Sequence, residues 1–156
     1  MPGLKTYTDG KNIYSVDMML AYVNSFDHPV VKLPMEDLLP QLEQDVWGWS
    51  PSTVLAKMDA KKYSENAARI RGADLSYPIF VTGAATSALQ RHTILDGYHR
   101  VAKASLEGKT DIQAYVFDAP LMRKFILNSD ANFVQVHQHT PVYEILELWT
   151  KRFCKH

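Results

Sequence analysis

An α+β fold, with a small mixed β-sheet flanked by helices, is predicted by two features of the 156-residue chain. Apolar runs rich in β-branched and aromatic residues alternate with segments that repeat apolar residues at helical spacing. Single Pro and Gly residues separate these segments and mark the turns between them. A chain of this length buries roughly 70% of the surface that its unfolded form exposes, so we expect a single domain over residues 1–156.

Two strands and one capped helix are predicted at the start of the chain. Residues 11–14 and 30–33 form short apolar runs typical of strands. Ser15 is a good N-cap for the helix that follows it. The apolar face of this helix is expected to comprise Val16, Met19, Leu20 and Val23.

The next part of the chain is predicted to hold short turns, a loop and one longer helix. Pro40 interrupts the helical spacing of residues 34–44, and residues 45–53 are interpreted as an ordered loop. Asp59 is the expected cap of a helix that ends at Gly72, a suitable C′ residue. Its predicted apolar face consists of Tyr63, Ala67 and Ile70.

The second half begins with a predicted hairpin, because the runs at 78–81 and 92–95 are separated by a loop. A helix over 98–108 follows at once and is expected to stop at Gly108. Its buried positions are predicted to be Val101, Ala102, Leu106 and either Ala104 or Ser105. The remaining predicted elements are a strand at 111–117, a helix at 119–127 and a C-terminal helix at about 141–153.

Composition restricts the classes of partner and compartment. The 17 basic residues balance the 17 acidic ones, which argues against a nucleic acid held through many phosphates. The single cysteine, Cys154, cannot form an intrachain disulfide and favours a reducing compartment. The sequence shows neither a targeting pattern nor a run of about 18 apolar residues, so we expect a cytoplasmic protein without a membrane partner.

The sequence DGYHR, residues 96–100, is the strongest functional signal, because it lies between a predicted strand and the first turn of a helix. The first N–H groups of a helix lack intrahelical acceptors, and the helix dipole is positive there, so a phosphate fits this end. Gly97 permits a positive φ or the close approach of an anion, while His99 and Arg100 can donate to it. Asp96 can hold magnesium, accept a hydroxyl proton or simply cap the helix.

A purely structural interpretation of the same residues remains open. Asp96 and Gly97 would then form an ordinary turn, Arg100 would be a solvated helix residue, and His99 would be a polar partner of the core. The strand–turn–helix context favours the anion site, because turns of this kind before a helix recur in phosphate sites.

The stretch YPIFVTG, followed by HTILDGYHRVAKASLEGKTDIQAYVF, resembles the ParB/sulfiredoxin-like superfamily over about residues 28–128. In that family a strand leads into Asp-Gly-X-His-Arg or a variant, then into an alanine-rich helix and another strand. The resemblance implies that Gly97, Tyr98, His99 and Arg100 bind nucleotide phosphate. ATP, ADP or CTP, together with Mg²⁺, is the implied cofactor.

Departures from the family pattern argue against two of its activities. Sulfiredoxins carry a catalytic cysteine before the His-Arg pair, where this chain has Tyr98, so sulfinic acid reduction is not expected. ParB proteins read Gly-Glu-Arg-Arg at this turn and continue into a DNA-binding domain, whereas 28 residues follow Asn128 here. DNA segregation is therefore not expected either.

The turn is most similar to that of the free serine kinases, which carry Asp-Gly-His-His-Arg and match four of its five positions. The resemblance implies phosphotransfer or nucleotide hydrolysis, with Asp96 and His99 as catalytic residues. Those kinases also use a glutamate as base, for which Glu43 is the nearest candidate and Glu36 and Asp37 are competitors. In this version Glu43 activates the acceptor while Asp96 holds magnesium.

Two further groups of residues are candidate ligand contacts. Ser50, Ser52 and Thr53 offer hydroxyl groups next to an aromatic residue, although a packed loop is the more frequent explanation of such residues. Arg69 lies near a predicted helix C-terminus, where the dipole favours a cation for structural reasons, and arginine is also the preferred partner of phosphate.

Trp47 and Trp49 flank Gly48 and allow three interpretations. They can form a ligand wall, a self-association patch that yields a homodimer, or a partly buried part of the core, which is the interpretation that tryptophan burial favours. The alternative to a ligand-binding protein is thus a non-catalytic interaction or sensor module that keeps the fold.

Overall fold

The computed structural model describes residues 5–83 and 92–128, and these form an α+β fold as predicted. The α-helices in this part of the chain are Val16–Ser25 (α1), Pro51–Ala56 (α2), Ser64–Gly72 (α3), Tyr98–Leu106 (α4) and Ala119–Arg123 (α5). The strands are Thr6–Thr8 (β1), Ile13–Ser15 (β2), Val30–Pro34 (β3), Ile79–Thr82 (β4), Thr93–Asp96 (β5), Asp111–Phe117 (β6) and Ile126–Asn128 (β7). Short 3-10 helices cover Met35–Asp37, Leu39–Glu43 and Lys61–Tyr63.

The strands form two sheets. The larger one has the order β3-β6-β4-β5, in which β4 and β6 are parallel and the other pairs are antiparallel. This is the predicted small mixed sheet, and β4 and β5 form the predicted antiparallel pair. The smaller sheet, β1-β2-β7, is antiparallel and was not predicted as a sheet. Its β2 lies on the strand predicted at 11–14, but the helix predicted at 119–127 is wrong at its end, because α5 stops at Arg123 and β7 follows.

The chain divides into two units. One consists of residues 1–28 and 119–156, and its described part contains the three-stranded sheet, α1 and α5. The other, residues 29–118, contains the four-stranded sheet with α2, α3 and α4. The C-terminal helix predicted at 141–153 lies outside the described residues, and the single domain stays a prediction.

The discontinuous unit begins with a tight hairpin and a capped helix. The carboxylate of Asp9 accepts hydrogen bonds from the backbone N–H groups of Lys11 and Asn12 and thereby closes the β1–β2 turn. Ser15 caps α1 as predicted, since its hydroxyl accepts from the N–H of Met18. The apolar face of α1 differs from the prediction at two positions, because Met18 is buried and Leu20 is 49% exposed.

The core of the 29–118 unit lies between one face of the larger sheet and α4. Val101, Ala102 and Ala104 of α4 are buried as predicted, whereas Leu106, in the last position of the helix, is 52% exposed. Gly108 ends the helix as predicted. It adopts a φ of +68°, its N–H bonds to the carbonyl of Ser105, and Lys109 N–H bonds to that of Ala104. The buried sheet residues of this core are Leu33, Ile79, Val81, Ile94, Ile112 and Ala114.

Tyr63, Ala67 and Ile70 are buried as predicted, and α3 ends at Gly72 as predicted, but its predicted start is wrong. Asp59 does not cap it, because a 3-10 turn intervenes and α3 starts at Ser64; the Asp59 carboxylate lies 3.5 Å from Arg71 instead. Gly72 is the last helical residue and has no positive φ.

The region predicted as a loop at 45–53 is a loop only as far as Ser50, where α2 begins. The Ser50 hydroxyl accepts from the N–H of Thr53, and Pro51 occupies the first turn. No helix among the described residues has the length and apolar character needed to cross a bilayer.

Candidate functional site

The predicted strand–turn–helix is present at residues 96–100. Strand β5 ends at Asp96, α4 starts at Tyr98, and Gly97 alone joins them. Gly97 adopts φ +114° and ψ +23°, and its carbonyl accepts the N–H of Val101, so the helix starts directly from the strand. The positive φ predicted for Gly97 is confirmed.

Packing against β4 explains why this position is glycine. A Cβ added to Gly97 would lie 2.6 Å from Cγ2 and 2.9 Å from Cβ of Ile79. The contact arises because β5 pairs with β4 in an antiparallel register, with Asp96 opposite Phe80, so the end of one strand meets the start of the other. Gly97 is therefore required both by its φ and by the neighbouring strand.

Arg100 ties the turn to the start of β4. Its Nη1 donates to the carbonyls of Pro78 (2.6 Å) and Tyr77 (3.1 Å), and its Nη2 donates to Oδ2 of Asp96 (3.2 Å). The Arg100 and Asp96 side chains are only 19% and 16% exposed. These bonds use three of the five N–H groups of the guanidinium. Arg100 is thus not the solvated residue of the structural interpretation, since much of its hydrogen-bonding capacity holds the backbone.

The carbonyls that Arg100 holds belong to a tight turn before β4. Asp74 accepts from both the hydroxyl and the N–H of Ser76, and these two bonds lower the pKa of Asp74. The side chain of Tyr77 is largely solvated, at 65% exposure. The same region receives Lys103 of α4, whose Nζ donates to the carbonyls of Arg71 and Ala73 at the end of α3.

Two elements hold the ring of His99, which lies in the first turn of α4. Its Nε2 lies 3.1 Å from Oδ1 of Asn66 in α3, and its ring stacks on that of Trp47, with 4.2 Å between centroids and 12° between planes. Asn66 was missed at the sequence level. The available signal was its place next to Ala67 and one turn before Ile70, at the border of the apolar face of α3.

Trp47 and Trp49 are both partly buried, which confirms the favoured interpretation. Trp49 meets the ring of Tyr63 edge to face, with 4.9 Å between centroids, and both tryptophans pack against a cluster formed by Val54, Tyr63, Ile70 and Ala102. The indole Nε1 of Trp49 is buried without a hydrogen-bond partner in the described structure. The two tryptophans therefore attach the loop before α2 to both α3 and α4.

The three predicted hydroxyl contacts and the predicted base, Glu43, form two hydrogen-bonded pairs. Ser50 and Thr53 share a 2.9 Å hydrogen bond between their hydroxyls, and Ser52 Oγ donates to Oε1 of Glu43 at 2.6 Å. Glu43 is exposed at the end of a 3-10 helix. Its partner is thus the first turn of α2, rather than any residue of the 96–100 turn.

Of the other candidates, Arg69 is paired on the surface and Tyr98 belongs to the core. Arg69 forms a 3.0 Å ion pair with Glu65, one turn away on α3, and both side chains are mostly exposed. Tyr98 is half-buried and packs against the main core cluster. Of the predicted site residues, Asp96 and Arg100 are thus paired with each other, while His99 contacts Asn66 and Trp47. Glu43 and Arg69 have other partners.

Among residues 5–83 and 92–128 no three His, Cys, Asp or Glu side chains lie close enough to hold a metal ion. Asp96, the predicted magnesium ligand, is a single carboxylate paired with Arg100. Magnesium usually uses one or two carboxylates together with substrate phosphates, so a single carboxylate such as Asp96 would need further oxygen ligands from a bound phosphate. Its role as a ligand stays a prediction.

No family model, curated protein or solved structure matches this chain.

Proposed function

We propose that this protein binds a small phosphate-bearing ligand, in the first instance a nucleotide, at the amino end of α4. The observation that carries the proposal is the left-handed Gly97, which joins β5 to the nine-residue α4 without an intervening residue. Such a junction presents the positive end of a helix at the end of a strand, where phosphate is favoured. His99 and Arg100 lie in the first turn of this helix and supply side-chain donors.

The charges around the turn are consistent with a ligand that brings its own cation. Asp96 and Arg100 form an ion pair and largely offset one another, so the remaining positive potential comes from the helix end. Arg100 has two N–H donors beyond the three that bond to Pro78, Tyr77 and Asp96, and a phosphate oxygen can accept them. A magnesium ion on the phosphates would be attracted to the Asp96 carboxylate.

We include membership of the ParB/sulfiredoxin-like superfamily in the proposal, and it too is supported by the strand–turn–helix at residues 96–100. The residues that carry the resemblance occupy a strand, a one-residue turn and a helix, followed by strand β6. Binding is the conclusion that we draw. Phosphotransfer or nucleotide hydrolysis would in addition require Glu43 to leave its 2.6 Å hydrogen bond with Ser52 and act as base.

A second candidate function is favoured by the bonds of Arg100. Because its guanidinium holds two carbonyls and Asp96, the turn is stable without any ligand. A protein that keeps this fold only as a scaffold for a protein partner or a sensor would show the same bonds. This candidate predicts self-association or partner capture in place of nucleotide binding.

Calorimetric titration of the intact chain with ATP, ADP and CTP, with and without magnesium, tests the proposal. We expect saturable binding that Arg100→Lys weakens at least about tenfold, because a lysine keeps the charge and loses the planar fork. Arg123→Lys, an exposed position in α5, is the matched control and should bind as the wild type does. Absence of heat with all three nucleotides would overturn the proposal and favour the scaffold function. A product assay on any nucleotide that binds then separates an enzyme from a sensor.

A further inference from the structure

The segment between the 3-10 helix at Leu39–Glu43 and α2 is a loop whose two ends are joined. We call residues 44–50 the Trp47 loop. The hydrogen bond from Ser52 to Glu43 (2.6 Å) closes its base, and Ser50 fixes its far end by capping α2. Trp49 anchors the loop through its edge-to-face contact with Tyr63. The base and one side of the loop are thus held to the body of the unit.

Trp47 is the contact between this loop and the first turn of α4. Its ring lies parallel to that of His99 at 4.2 Å, while its neighbours Val46 and Gly48 are exposed. Gly48, between the two tryptophans, has φ +85°, and a Cβ added there would meet no atom within 4 Å. The Trp47 N–H donates to the Trp49 carbonyl at 3.3 Å across Gly48, so this hydrogen bond and the two ring contacts, and not crowding, accompany its positive φ.

We propose that the Trp47 loop is a lid on the amino end of α4, with the Trp47–His99 stack as its latch and Gly48 as its pivot. The proposal rests on the proposed function, since the helix end that the lid covers is the ligand site. In the open state Trp47 gives up the stack, its packing against the cluster and its N–H bond to the Trp49 carbonyl, and it swings away around Gly48. Trp49 and the Glu43–Ser52 bond keep the rest of the loop in place. Access to one face of the His99 ring then depends on Trp47, while the contact of His99 Nε2 with Asn66 remains.

Chemical modification of His99 in the intact, ligand-free protein tests the latch. Diethyl pyrocarbonate reacts with accessible imidazoles, and mass spectrometry gives the rate at each histidine. Trp47→Ala should raise the His99 rate by about 2- to 12-fold, the population shift that loss of an aromatic pair produces. Trp47→Phe, which can still stack, should restore a rate near that of the wild type. The rate at His28, in the other unit, should not change.

A variant at the pivot tests the lid without removing a ring. Gly48→Ala adds no clash but strains the closed conformation, so it should raise the His99 rate by roughly 5- to 30-fold if φ relaxes on opening. Gly10→Ala is the matched control, because Gly10 has φ +90° and equally open space in the β1–β2 turn. It carries the same strain and should leave the His99 rate unchanged.

The two proposals fail in different ways. An unchanged His99 rate in both Trp47→Ala and Gly48→Ala, with the fold intact by circular dichroism, overturns the lid. Inorganic phosphate at millimolar concentration is the ligand probe, and slower His99 modification in its presence supports both proposals. Acceleration by the two variants without any effect of phosphate, ATP or CTP supports the lid and counts against the proposed function.

Discussion

The carboxamide of Gln41 completes the hydrogen bonding of β5 next to Ile94. Its Oε1 accepts from the N–H of Ile94 at 2.8 Å, and its Nε2 donates to the carbonyl of His92 at 2.6 Å. Strand β5 is an edge strand of its sheet, so these backbone groups would otherwise face outward. One buried side chain, 1% exposed, thus replaces a neighbouring strand.

Gln41→Ala should lower the free energy of unfolding by about 3 kcal/mol, because it leaves a buried donor and a carbonyl without partners. Urea denaturation measures the loss, and amide exchange at Ile94 should become faster than in the wild type. Gln44→Ala, an exposed position three residues away, is the control and should cost less than about 0.5 kcal/mol. A loss below about 1 kcal/mol for Gln41→Ala would contradict the role of the carboxamide.

Gly97→Ala should be more damaging than Gly108→Ala, although both positions have a positive φ. At Gly108 only the backbone strain counts, at about 1–2 kcal/mol, because a Cβ has open space there. At Gly97 the same strain is joined by a contact of 2.6 Å with Ile79, and we expect a loss of at least about 3 kcal/mol. Equal losses of unfolding free energy in the two variants would show that the contact of the new Cβ with Ile79 does not destabilise the protein.

Arg100→Ala should destabilise the protein by about 2–4 kcal/mol even without a ligand. The substitution removes the guanidinium from the mostly buried Asp96 carboxylate and from the carbonyls of Tyr77 and Pro78. Arg69→Ala removes a comparable but exposed pair and should cost no more than about 0.5 kcal/mol. If thermal and urea denaturation give the two variants the same stability, the guanidinium does not hold the turn.

Asp9→Asn should reduce the decrease in unfolding free energy that the protein undergoes as the pH falls from neutral to acidic. Burial alone would raise the pKa of Asp9, but hydrogen bonds from the N–H groups of Asn12 and Lys11 and from the Tyr14 hydroxyl outweigh it and lower the pKa. A carboxyl whose pKa is lowered by folding stabilises the protein above its unfolded pKa, and this contribution disappears as the pH falls through the folded pKa.

The measurement for Asp9 is the unfolding free energy at neutral pH and at about pH 3, in the wild type and in the variant. The difference between the two pH values should be smaller in Asp9→Asn. Part of the acid sensitivity should persist, because the pKa of Asp74 is lowered as well and Asp74 is present in both proteins. An identical pH dependence would exclude the Asp9 turn as a source of acid sensitivity.

Elements with local signals could be predicted from the sequence. The Ser15 cap, the Gly108 stop and the turn at Gly97 each depend on the conformational preference of one residue within a few positions of its partners. Helix α2 belonged to the same class and was overlooked, since Ser50 followed by Pro51 is an N-cap signal. Asp59 carried the same kind of signal, but the 3-10 turn at Lys61–Tyr63 intervenes.

Pairings between distant residues were beyond a local interpretation. Gln41 and Ile94 are 53 positions apart, and Asn66 and His99 are 33 apart, so no periodicity relates them. The strand–turn–helix at residues 96–100 was predicted correctly because its residues are consecutive. The hydrogen bonds from Arg100 to the carbonyls before β4 were not predicted, because they depend on the antiparallel register of β4 with β5.

The pairing of Val30 with Tyr115 brings the two ends of the 29–118 unit onto neighbouring strands. Opposite residues of an antiparallel pair lie about 5 Å apart, so a few added residues can span from Asp118 back to Pro29. Along the sequence, residues 29–118 interrupt the other unit once, and this insertion begins and ends near paired strands of its own sheet. A circularly permuted version of the unit, with a short linker from Asp118 to Pro29, is therefore expected to keep the pairing of β3 with β6.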